Sequence, residues 1–374
     1  MRKFVLFAAN RGYALYSSRR ELIEKFIDSG WHVVLATADD SDSRKLVELG
    51  AVLEPTEFGR GGLSVLKDWM ASRRLREIIE IYSPLLAHFF HAKPIILGSL
   101  AMHNIGNRSS ITVNTITGLG NAFCSGGMSA KLASLGYRRA LPRANLTIFQ
   151  NPDDESLFVH NGWISSDRSM TVTGSGVPLD RFSFVERSKR DAKGPVIVMV
   201  ARLLKQKGVF EFSAVATEIR RKLPSAKFVL AGEKENSHPD RVDLARLQKC
   251  PDVEYVGPLS DVLPLLIDAD LFLFPSFYRE GVPRVVMEAA ATGLPTVAFD
   301  VPGVREAVRN EQTGFLVPDR NVEQMTERVF QLLEDKGLRL EMGRKASELA
   351  KEAFDIRAVQ EAYLNVYRKL GVDI

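Results

Sequence analysis

Only two cysteines, Cys124 and Cys250, occur in 374 residues, and they stand 126 positions apart (250 − 124). That spacing fits neither a disulfide framework nor a thiolate metal site, and it points to a reduced compartment. Long hydrophobic runs are also missing, so no segment reaches the ~20 residues of a membrane span. The apolar run in "MRKFVLFAANRGY" is about six residues, short of a secretory signal core. A cytoplasmic protein is therefore expected, and "NRS" (107–109) and "NLT" (145–147) read as chance glycosylation matches.

Other absences narrow the chemistry. The first candidate strand is followed by "AANRGYAL" rather than G-x-G-x-x-G, "GSGV" (174–177) runs into proline, and no Walker sequence occurs. These gaps argue against a nicotinamide enzyme and a P-loop nucleotidase. His88 and His91 lie in "LLAHFFHAKP" with no further ligand cluster, so no metal cofactor is expected. No acidic residue stands between Glu80 and Asp153, whereas Lys93, Arg108, Lys131, Arg138, Arg139 and Arg143 do. An anionic partner and an acid-poor sheet region both account for that stretch. No nucleic-acid partner is expected.

What is present is ordinary globular material, 45% apolar and 26% charged, in a chain long enough for two domains. Short apolar runs alternate with helical patterns: 4–9, 32–37, 85–90, 111–115 and 145–150, then 196–201, 227–232, 253–257, 271–276 and 295–300. Each set predicts a buried parallel sheet wrapped by helices. The polar, charged stretch 178–195 reads as the linker between them. Amphipathic helices are expected at 321–335 and at the chain's end, 356–370. The expected fold is α/β, with two Rossmann-like doubly wound domains. Residues 1–180 form the first and 181–355 the second, with helix 356–370 packing back on the first. Ligands of such sheets bind beyond the strands' carboxyl ends, here expected in the cleft between domains.

Three stretches carry candidate chemistry. The turn Asn10-Arg11-Gly12 suits close approach of a ligand to backbone. In "VARLLKQKGVFEF" (200–212), Arg202 and Lys207 precede a helix start, which fits either a phosphate site or a solvated loop. In "FYREGVPRVVMEAAATGLP" (277–295), a helix is expected to begin at Gly281-Val282-Pro283 and to close at Gly293. Glu280 would then sit at the strand-to-helix corner, and Gly281, Val282 and Arg284 would offer amides to an anion. Glu288 stands among apolar neighbours, where a carboxylate needs partners: sugar or ribose hydroxyls, or an internal arginine.

Taken together, "VARLLKQKG", "LAG", "YVGPLSD", "DLFLFPSFYREGVPRVVMEAAATGLPTVAFDVPGVREAV" and "TGFLVPD" resemble the retaining glycosyltransferases of family 4, which have the GT-B fold. The likeness covers most of the chain and is strongest over 196–318. It implies that Arg202 and Lys207 hold the donor's diphosphate and that Glu288 meets the ribose. Glu280 faces the donor sugar near the reacting carbon. Gly281, Val282 and Arg284 present backbone amides, Gly232 and Leu259 mark the base region, and Gly12 approaches the donor phosphates. Catalysis is thus assigned to Glu280, Arg202 and Lys207. Many members carry a histidine before a glycine in the first domain, where this chain has "TITGLGNAF" (115–123). Thr117, Gly118, Gly120 and, further on, Asn151 are then the candidates on the acceptor or sugar side.

The likeness implies retaining, metal-independent transfer from a nucleotide diphosphate sugar, a UDP-sugar by likeness to surface-polysaccharide enzymes. The acceptor would be a glycan hydroxyl, with a polyprenyl-diphosphate-linked sugar the leading candidate. An anionic membrane surface is expected to meet Lys131, Arg138, Arg139 and Arg143 on an amphipathic segment with Met128, Leu132 and Leu135. The place is then the inner face of the cell membrane. A nucleotide-sugar 2-epimerase and an inactive sugar-nucleotide-binding subunit are the competing readings.

Overall fold

Strands β1 (Phe4–Ala8), β2 (His32–Thr37), β3 (Val52–Pro55), β4 (Leu86–Phe90), β5 (Ile111–Ile116), β6 (Leu146–Phe149) and β7 (Ser169–Thr171) form one sheet, in the order β3-β2-β1-β4-β5-β6-β7. Every pairing in it is parallel. The computed structural model describes residues 3–59, 64–106, 109–120, 127–187, 194–235, 238, 240–247 and 249–374. Alternation along β1 builds two cores on this sheet. Val5 and Phe7 join Leu22, Phe26 and Tyr367 on one face, while Leu6 and Ala8 join Leu75, Ile95 and Phe149 on the other. Both faces are covered by helices, so the strands read as continuous apolar runs.

The second sheet contains β8 (Val196–Val200), β9 (Lys227–Ala231), β10 (Val253–Gly257), β11 (Leu271–Phe274), β12 (Thr296–Phe299) and β13 (Gly314–Val317). Its order is β10-β9-β8-β11-β12-β13, again parallel throughout. Strand order reverses beside β8 and β11, and that reversal is where ligands of such sheets bind.

The chain divides into two compact units, Met1–Gly176 with Arg357–Ile374, and Val177–Ile356. The last helix, Ile356–Lys369, belongs mainly to the first unit, where Val359, Tyr363 and Tyr367 are buried. The stretch expected as a linker behaves otherwise. Phe182 joins the second unit's core, and buried Arg187 donates to the carbonyls of Ala269, Leu266 and Thr292 at 2.8, 2.9 and 2.5 Å. A guanidinium whose donors all meet carbonyls can be buried, so a charged sequence here packs rather than swings. The rest of that stretch, 188–193, lies outside the described residues.

Candidate functional site

The loops after β8, β11 and β12 meet because two glycines allow it. At Gly208, φ is +79°, and a Cβ there would stand 1.9 Å from the Pro275 carbonyl oxygen. The contact is sewn by the Phe277 amide donating to the Gln206 carbonyl at 3.0 Å. At Gly303, φ is +86°, and a Cβ would lie 1.6 Å from the carbonyl oxygen of Gly281. The Pro-Gly turn after β12 therefore props the Glu280-Gly281 turn from beneath. Only glycine accepts both the left-handed backbone and such contact.

This convergence places Lys207 on Glu280. The lysine ammonium donates to the Glu280 carboxylate, which also accepts from Ser276 Oγ at 3.3 Å. The ring of Tyr278 lies 4.5 Å from the same ammonium, adding a cation–π contact. The Lys207 and Glu280 side chains are 8% and 18% exposed. Arg202, just beyond the end of β8, is 43% exposed and donates to Glu235 at 3.1 Å. Each of the two cations has a carboxylate partner, and for the shielded Lys207 ammonium its absence would be costly. Ser276, Tyr278 and Glu235 were not singled out from the sequence. Only Ser276 left a signal, as the residue that ends the apolar run 271–276.

The helix after β11 starts later than expected, at Arg284, with Pro283 as its N-cap residue (φ −63°, ψ 116°). Glu280 thus lies in the turn before the helix, so the two glutamates do not share one. Among the described residues no side chain caps this helix, whose first turn follows Gly281 and Val282. Glu288 is 8% exposed and accepts from Arg284 Nε at 2.8 Å. Of the two partner types weighed for it, the internal arginine is the one found. Burial pushes the Glu288 carboxyl above its ordinary value, and the Arg284 charge opposes that shift. Gly232 follows β9, donating its amide to the Gly257 carbonyl at 2.9 Å. Leu259 follows β10 and is 38% exposed. Arg202, Gly232 and Leu259 therefore stand beyond the carboxyl ends of β8, β9 and β10, three neighbouring strands.

The remaining candidates belong to the first unit. Gly12, Thr117 with Gly118 and Gly120, and Asn151 follow β1, β5 and β6, so all lie at the carboxyl edge of one sheet. The Gly12 amide is not open for a phosphate: it donates to Asp40 Oδ2 at 2.9 Å. The Asn151 side chain is wholly buried as a helix cap, accepting from the Asp154 amide at 2.8 Å and donating to its carboxylate at 3.0 Å. His88 is buried between Tyr367 and Thr115, while His91 begins the helix Ala92–Ile105 at φ +67°. Among the described residues no group of three or more His, Cys, Asp or Glu is arranged to hold a metal. None of the described helices is long and apolar enough to cross a membrane.

Residues 180–349 match the family described as "Glycosyl transferases group 1". The N,N'-diacetylbacillosaminyl-diphospho-undecaprenol alpha-1,3-N-acetylgalactosaminyltransferase of Campylobacter jejuni is 29% identical over 97% of this chain and 98% of its own length. Other curated relatives, such as an alpha-D-kanosaminyltransferase of Streptomyces kanamyceticus, match over about half of each chain. Among solved structures, the sucrose-phosphate synthase of Thermosynechococcus elongatus superposes with a TM-score of 0.80 at 19% identity, covering 99% of both chains. Anabaena Alr3699/HepE, solved in complex with UDP-glucose, gives 0.78 at 17% identity, over 98% of this chain and 99% of that one.

Proposed function

Residues 180–349 are a glycosyl transferases group 1 domain on a chain of GT-B fold, and from that premise we propose retaining transfer of a sugar from a UDP-sugar to a lipid-linked glycan. The acceptor is a hydroxyl of a polyprenyl-diphosphate-linked sugar, in bacterial surface-polysaccharide synthesis at the inner face of the membrane. The Campylobacter relative, whose name specifies a diphospho-undecaprenol acceptor, supports the acceptor class. The UDP-glucose complex of the Anabaena protein supports the donor class.

The observation that carries the reading is the meeting of Lys207, Glu280 and Ser276 where strand order reverses in the second sheet. In the proposed reaction the bond between anomeric carbon and diphosphate oxygen breaks, and its electron pair leaves on the diphosphate. The acceptor oxygen bonds to the carbon from the same face, and its proton passes to the departing phosphate oxygen. Stabilising that oxygen is the main task. One preorganised donor is worth about 2.7–4 kcal/mol there, against about 0.3–1 kcal/mol for an exposed helix end. Lys207 and Arg202 take this role in place of a divalent metal, and Glu280 accepts hydroxyls of the donor sugar. Glu288, already neutralised by Arg284, receives the ribose hydroxyls.

The test is a panel of nucleotide sugars offered with a polyprenyl-diphosphate-linked acceptor, with and without EDTA. Acceptor-dependent release of UDP, an α-linked product from an α-linked donor, and indifference to EDTA are expected. An epimerised donor without acceptor would establish an isomerase instead, and binding without turnover a non-catalytic subunit.

A further inference from the structure

We propose that the first unit docks on an anionic bilayer through two helices, with Leu66, Trp69 and Met70 entering the acyl region and lysines and arginines lying at phosphate level. The surface deepens the reading of a lipid-linked acceptor and rests on it. The helix Val65–Tyr82 has a conventional inner face, where Ala71, Leu75, Ile78 and Ile79 are buried. Its opposite face is unusual. Leu66 is 68% exposed, Trp69 58% and Met70 57%. Spaced i, i+3, i+4, these three share one side of the first turns, where a water-facing helix is normally polar.

A second helix repeats the pattern. In Gly127–Ala140, Tyr137 and Ala140 are buried, while Met128, Leu132 and Leu135 are 76%, 39% and 42% exposed. Exposed Lys131, Arg138 and Arg139 stand on the same helix, and exposed Arg143 follows it. The helix Ala92–Ile105 packs against both, so the two flank it on one side of the sheet. Each runs back to begin a parallel strand, β4 at Leu86 or β6 at Leu146, so both start at the sheet's carboxyl edge. Two sets of outward apolar side chains therefore open at the same edge.

Charge selects the occupant. No acidic residue lies on the second helix, and on the first the only acid before Glu77 is Asp68, which is paired with Lys93 at 2.7 Å. Lys67 accompanies the apolar turns and is exposed, as is Arg73, which pairs with Glu77 at 3.1 Å one turn further on. Apolar side chains ringed by cations suit an anionic lipid surface, where burial and attraction add. A neutral protein groove would make no use of the cations.

Vesicles of phosphatidylcholine, with or without one-third phosphatidylglycerol, test this on the full chain by sedimentation. The combined variant Leu66→Ser, Trp69→Ser, Met70→Ser should bind anionic vesicles at least about tenfold more weakly, as should a variant with Lys131, Arg138, Arg139 and Arg143 all changed to Gln. Brominated acyl chains should quench the wild type, and Trp69→Phe should still bind but lose the quenching. Undiminished binding by the triple variant overturns the proposal, as does a lipid-free dimer of the wild type that the triple variant abolishes. Transfer to a short-chain, water-soluble acceptor should be unchanged in both combined variants. If the wild type performs no such transfer, the transferase reading fails, and vesicle binding still decides the docking surface separately.

Discussion

The Lys207 ammonium rests on the Glu280 carboxylate, with the two side chains 8% and 18% exposed. Such a pair is coupled: removing either partner strands the other in a shielded place. Lys207→Ala and Glu280→Ala should each lower turnover by about 10²–10³. The double variant should be little worse than the poorer single one. Steady-state kcat and KM for the three variants check this, and losses that simply multiply would show the two groups to be independent.

Arg202 offers the contrast. Its side chain is 43% exposed, and its partner Glu235 lies on a neighbouring loop. An exposed pair contributes about 0–1 kcal/mol to stability. Arg202→Ala should therefore unfold at nearly the wild-type temperature, yet turn over about 10²–10³ times more slowly. A near-normal rate in the purified variant would remove Arg202 from the diphosphate site.

Glu288 should leave a mark on the pH dependence of stability. Burial raises its folded pKa above the ordinary 4.5, despite the Arg284 charge. Between those two values the folded state holds more proton than the unfolded one, so stability falls as pH rises through that window. Glu288→Gln cannot titrate and escapes the loss. Its stability relative to the wild type should grow as pH rises from 4 upward, then level off. Thermal melts by far-ultraviolet circular dichroism would show it; parallel curves would count against a raised carboxyl. If the residue also binds ribose, the donor KM of the variant rises.

Much of this was readable in advance, and the reasons are specific. The runs 32–37 and 253–257 coincide with β2 and β10, because apolar strands announce themselves by composition. The strands that were not read, β3, β7 and β13, all lie at sheet edges and are three or four residues long. An edge strand needs less apolar content, so "VLEP" and "SMT" carry little signal. The pairing of Lys207 with Glu280 was hidden for another reason. It depends on long-range backbone contacts at Gly208 and Gly303, which no local spacing encodes. The helix start was misplaced because Pro283 acts as the cap residue rather than the first helical one.

That dependence is itself testable at Gly303. A methyl group there meets the Gly281 carbonyl and must also adopt a positive φ. Gly303→Ala should displace the Glu280-Gly281 turn and cost about 10²-fold or more in turnover, since misplacement by about 1 Å is enough. Ala307→Gly, one helical turn on at a buried site, should lose some stability and keep its rate. Equal rates for the two variants would argue that the Pro-Gly turn is not the prop.

The last prediction concerns the clasp of the final helix. His88 is fully buried, with Tyr367 Oη 2.5 Å from Nδ1 and Thr115 Oγ1 2.8 Å from Nε2. Nearby Arg19 is also buried and donates to Tyr363 at 2.9 Å, so the helix is held to β4 and the first helix by two polar contacts. Burial, reinforced by the Arg19 charge, holds the His88 pKa well below 6.5. The unfolded chain takes up a proton as pH falls through about 6.5, while the folded one resists. Stability of the first unit is therefore present above that value and lost as pH falls below it. All three tryptophans lie in this unit, so their fluorescence during urea unfolding reports on it alone. The wild-type midpoint should drop between pH 7 and 5. Tyr367→Phe should be weaker by about 1–3 kcal/mol at pH 7, because it leaves a ring nitrogen unsatisfied. A His88→Gln variant should show a flatter acid limb, and an unchanged limb would place the acid sensitivity elsewhere.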